Sequence, residues 1–156
     1  MEHQGMFAIR VSLTGFALAM LISASCRAAL PAQPIPRAVY AGVQLFRKYD
    51  QSGGMSQVVQ AVNGCYRVMA TSPGLTLGKI ECLGEDSAAY EMSIAMTRLH
   101  GFPPLPYYTQ TEFFGRTGTV LRNAGIHPAA ERNHLMSSIL LISGQDYHQT
   151  AGQGDH

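Results

Sequence analysis

Apolar residues recur along much of this chain at steps of three and four, and glycine and proline break the pattern into helical lengths. Val39, Val43 and Phe46 form the stripe of an amphipathic helix over 37–49, which Asp50-Gln-Ser-Gly-Gly54 interrupts. Met55, Val58, Val59, Val62, Cys65, Tyr66 and Met69 keep the same spacing and predict a second helix over 55–69. The turn at 71–76 contains Pro73-Gly74, and Thr76 is placed to accept a bond from the free amides of a third helix that continues through 79–99. That helix buries Ile80, Leu83, Ser87, Tyr90 and Ile94, and Gly101 with Pro103 and Pro104 stops it.

The segment 101–108, rich in proline and aromatics, cannot be regular helix and is expected to lie over the core as a stiff connection. Thr109-Gln-Thr-Glu112 fits a capping box and opens a fourth helix to about residue 123, with Gly125 closing it. His127-Pro128 opens a fifth, striped by Leu135, Ile139 and Ile142 and ended by Gly144. No alternating run is bounded by hairpin signals and no repeat period occurs. The expectation is an all-α fold, a small bundle of four to five helices.

The ends divide from this core. Residues 1–28 have the layout of a secretory signal peptide: a polar start, an apolar run over 11–25, and small residues at Cys26 and Ala28 suited to cleavage. Residues 29–36 carry three prolines and read as an extended leader, 37–144 as the helical domain, and 145–156 as a disordered polar tail. The alternative at the N-terminus is lipidation of Cys26, which would make a lipid-anchored structural protein, although Ser23 departs from the branched residue a lipobox wants. The export reading places the mature protein in the periplasm or outside the cell, in contact with the membrane only through the signal segment.

Export also decides how the cysteines are read. Cys65 and Cys82 are symmetric about residue 73.5, the middle of the turn at 71–76, so in an antiparallel hairpin they stand at equal height on facing helices. With Cys26 removed by cleavage, an oxidising compartment predicts a Cys65–Cys82 disulfide.

Charge narrows the partners. Eleven basic and ten acidic residues give +1, and loss of 1–28 removes Glu2, Arg10 and Arg27 and leaves zero, so neither nucleic acid nor an anionic membrane is an expected partner. Glu81, Glu85, Asp86 and Glu91 are expected to form a solvated acidic face on the third helix.

Specific chemistries find little support. Met92, Met96 and His100 lie along one line of the third helix and are the weak candidates for a copper-type metal site, although they span about 12 Å of rise. Glu131 and His134 have the Glu-x-x-His spacing of di-iron bundles without the second copy such a site needs. His127, His134 and His148 lack zinc spacing, and no nucleophile elbow, phosphate loop or haem attachment motif occurs. No catalytic set and no cofactor are expected.

The best candidate for recognition is the aromatic-proline segment, with Phe102, Tyr107, Tyr108 and Phe113 as binding residues, the competing role for the segment being a lid that completes the core. The functional expectation is an exported, non-enzymatic domain that binds a protein partner through this segment and the acidic face. A periplasmic metal-handling protein or small enzyme is the alternative.

Overall fold

The computed structural model describes residues 34–151, with side chains through Gln145. The predicted signal segment 1–28 lies outside the described residues. Four helices follow one another: α1 (Pro34–Met69), α2 (Leu77–His100), α3 (Gln110–Asn123) and α4 (Ala129–Ala151), with a 3-10 turn at Pro106–Tyr108 between α2 and α3. Among the described residues there is no strand, and no helix is long and apolar enough to cross a membrane.

The predicted break at 50–54 is present as a kink inside the Pro34–Met69 run, so the two helices expected there share one element and the elements number four. Gly53 and Gly54 leave helical geometry, Gly54 with a positive φ of 65°, so α1 is two helical segments that meet at a kink where the sequence places its break. The side chains of Ser52 and Ser56 accommodate the bend by donating to the Tyr49 and Gly53 carbonyls. Two other boundaries move outward. Pro34 and Pro36 belong to the first turn of α1, not to an extended leader, since the amides they lack would have no helical partner there. At the other end α4 passes Gly144 and continues to Ala151, into the stretch expected to be a disordered tail. The caps fall where the sequence puts them: Thr76 accepts from the Lys79 amide at 3.2 Å, Thr109 from the Glu112 amide at 3.4 Å, and Gly101 closes α2 at φ 69°.

The predicted stripes are the core. Val39, Val43 and Phe46 from the first half of α1, and Val58 and Val62 from the second, are fully buried against Ile80, Leu83, Ala88 and Ala89 of α2. One end of this core is completed by Phe113 and Leu121 of α3 with Met136 and Ile139 of α4, the other by Tyr108 of the connecting segment. The helix α2 is the axis of the molecule, with every residue from Cys82 to Ala89 buried. It is pressed closely onto α1: a Cβ on Gly84 would come within 2.7 Å of the Val39 carbonyl oxygen, and one on Gly42 within 2.6 Å of the Glu85 nitrogen. The Cys65–Cys82 disulfide joins the same two helices, with Cα atoms 5.7 Å apart.

Candidate functional site

Because the middle of α2, from Cys82 to Ala89, is enclosed, its charged residues cannot all face water. Glu85 and Asp86 are fully buried, and only Glu81 and Glu91 keep partial exposure, so the expected acidic face does not exist. A carboxylate is costly in such a place unless it is paired and hydrogen-bonded. Asp86 is paired. Arg116, two turns into α3, grips it with two bonds, Nε to Oδ2 at 2.9 Å and Nη2 to Oδ1 at 2.7 Å. Tyr66 of α1 donates its hydroxyl to Oδ2 at 2.8 Å. The Arg116 Nη1 donates in turn to the Tyr107 carbonyl at 2.5 Å, and the guanidinium lies 3.8 Å over the Tyr107 ring.

This network joins α1, α2, α3 and the connecting segment at one point. Burial raises the Asp86 pKa, opposed by its bonds from Arg116 and Tyr66. Burial and the neighbouring Asp86 charge push the Tyr66 phenol well above its ordinary value and the Tyr107 phenol up to about 12. At neutral pH both phenols therefore keep their protons, and Tyr66 serves as a donor.

Glu85, next on the helix, has no such support. Its Oε1 is buried without a partner, as are Ser87 Oγ and the Tyr108 hydroxyl. Burial, followed by the charges of Asp86 and Glu81, pushes the Glu85 carboxyl up to about 7.

A second buried cation stands near the first turn of α2. Lys79 is 2% exposed, and its Nζ donates to the Ser72 carbonyl at 2.5 Å and the Gly74 carbonyl at 2.7 Å, tying off the turn that follows α1. Lys79, Arg116 and Tyr66 all contribute to the wall of a cleft of about 400 Å³ between α3 and the α1–α2 corner.

The recognition residues read from the sequence divide between surface and core. Phe102 is 58% exposed and Tyr107 is half-buried, its hydroxyl donating to Asn63 Oδ1 at 3.0 Å. Tyr108 and Phe113 are fully buried, and Phe113 stacks on Tyr90 with ring centroids 4.2 Å apart. These two complete the core, so they have no surface to offer a partner. In and around the same segment Leu99, Leu105 and Phe114 are also exposed.

Met92 packs against the core, Met96 is half-buried, and His100 is exposed with its ring 6.0 Å from that of Phe102. Glu131, His127 and His134 lie on the surface, and the His148 side chain lies outside those described. Among the described residues no three His, Cys, Asp or Glu side chains gather as metal ligands. Compared with protein-family models, curated proteins and solved structures, the chain matches none.

The buried network had one signal in the sequence. The run Cys-Leu-Gly-Glu-Asp-Ser-Ala-Ala over 82–89 sets small residues on every side of two carboxylates, which suits a helix crowded by neighbours. The identity of the cation that answers Asp86, thirty residues away, leaves no mark in local spacing.

Proposed function

We propose that the chain is an exported, non-enzymatic interaction domain that holds a protein partner on the apolar shelf formed by the end of α2, the connecting segment and the start of α3. The observation that carries this is the concentration of exposed large apolar side chains there: Leu99 at 76%, Phe102 at 58%, Phe114 at 41% and Leu105 at 40%. Such side chains scattered singly would need no explanation, but several along one short stretch are the usual mark of an interface. Pro103, Pro104 and Pro106 stiffen their support, and Arg116 fixes it from beneath through the Tyr107 carbonyl, so little order has to be gained on docking. Arg98 and His100 are exposed next to Leu99 and Phe102, and give the shelf a basic edge. The fitting partner therefore presents apolar side chains flanked by acidic ones. The Cys65–Cys82 disulfide supports the export part of the proposal.

The test is photo-crosslinking from position 102 in the intact exported protein, beside a Leu99→Ser/Phe102→Ser variant. One crosslinked protein, lost in the variant while the melting temperature holds, is the expected result. Crosslinks only to lipid, or none that depend on these two side chains, would overturn the proposal. Intact mass of the same material checks export, with a chain starting at Ala29 and two hydrogens short until reduced as the expected species.

A further inference from the structure

We propose that the cleft between α3 and the α1–α2 corner is a binding site for a small organic anion with an apolar body, of the class of a medium-chain carboxylate. This site is separate from the shelf of exposed side chains. Its volume of about 400 Å³ falls in the range of small-molecule sites, roughly 300–1,000 Å³. Met69, Val120 and the Tyr66 ring give it apolar walls, and Lys79, Arg116 and Asn123 give it polar ones.

The charge of those walls selects the ligand. Two cations, Lys79 and Arg116, line the wall and one of them is paired: Asp86 takes Arg116, whereas the Lys79 ammonium donates to the Ser72 and Gly74 carbonyls. The wall is thus cationic by one charge, and that charge sits on a side chain almost wholly withdrawn from water, where its field is weakly screened. Neither cation has used all its donors. Arg116 commits three of its five N–H groups and Lys79 two of its three. A carboxylate headgroup would complete the balance while its chain covers Met69 and Val120. A neutral chain of the same length would gain only the second of these.

Gly115 gives a test that spares the fold. It lines the cleft, it is exposed on α3, and a Cβ there meets nothing within 4 Å. Octanoate and octanol are titrated into the oxidised full chain, followed by calorimetry and by amide shifts. Saturable octanoate binding that moves amides in 66–70 and 115–123, with octanol at least tenfold weaker, is expected. Gly115→Glu should weaken octanoate about tenfold and leave octanol unchanged, and Gly115→Gln should alter neither. Lys79→Met should abolish the preference for octanoate. Equal binding of the two probes, equal losses in both Gly115 variants, shifts centred elsewhere, or no saturation at millimolar octanoate would each overturn the assignment.

Discussion

Asp86 and Glu85 are neighbours on one helix and equally hidden from solvent, yet their chemistry differs because only one has a cation. Removing the Asp86 charge with Asp86→Asn strands Arg116, whose guanidinium was placed to serve it. Breaking a buried pair from one side typically costs about 3–5 kcal/mol, and chemical denaturation should report a loss of that order. Glu85 behaves in the opposite sense. Its carboxyl is raised from 4.5 to about 7 in the folded chain, so the folded state holds a proton that the unfolded state releases. Stability is therefore greatest below pH 4.5 as far as this group is concerned, and falls as pH rises to 7. Glu85→Gln should remove that slope, adding on the order of 3 kcal/mol at pH 8 and little at pH 4, in urea melts at the two pH values. Neither behaviour was legible from the sequence. Glu81, Glu85, Asp86 and Glu91 look like a solvated cluster until the surroundings of α2 are known, and those surroundings come from α1, α3 and α4 at distances no local pattern encodes.

At the scale of elements, local spacing read well wherever local forces decide. The stripes at 39–46 and 55–69, the threonine caps and the stop at Gly101 depend on residues within one or two turns, and each is in place. The errors lie where a distant contact overrides a local preference. The glycine pair at 53–54 is not among them: its kink falls where local chemistry puts it, and both segments of α1 pack on the same α2. The same logic separates the glycines by role. Gly84→Ala should clash with the Val39 backbone and destabilise by about 1–3 kcal/mol, as overpacked substitutions do. Gly64→Ala, on the same hairpin but facing open space, should stabilise by about 0.5–1 kcal/mol through helix propensity alone. Thermal melts of the two variants should move in opposite directions.

For the molecule as a whole, the cross-link between Cys65 and Cys82 closes a loop of 17 residues, worth about 3 kcal/mol if it acts by restricting the unfolded chain. Cys65→Ala/Cys82→Ala should lower stability by that amount and leave the helical circular dichroism of the folded state unchanged. The hairpin geometry behind this bond was fully legible, because the symmetry of two cysteines about a Pro-Gly turn is a property of sequence numbers. The exposed connecting segment was legible in part, through Phe102 and its prolines, whereas the cleft was not, since residues of α1, α2 and α3 far apart in sequence form it.

The close glycine crossing and the disulfide fall on the same pair of helices, and this orders the molecule in time as well as in space. The α1–α2 hairpin holds its own core of valines, so it should protect its amides from deuterium longest and exchange only when the whole chain opens. The helix α3 rests on that hairpin through Phe113, Leu121 and the Arg116 latch, and its amides should exchange together, earlier, at a lower opening free energy. The ligand cleft has one wall on each of these two units, so an occupied cleft should slow exchange in α3 while leaving the hairpin as it was.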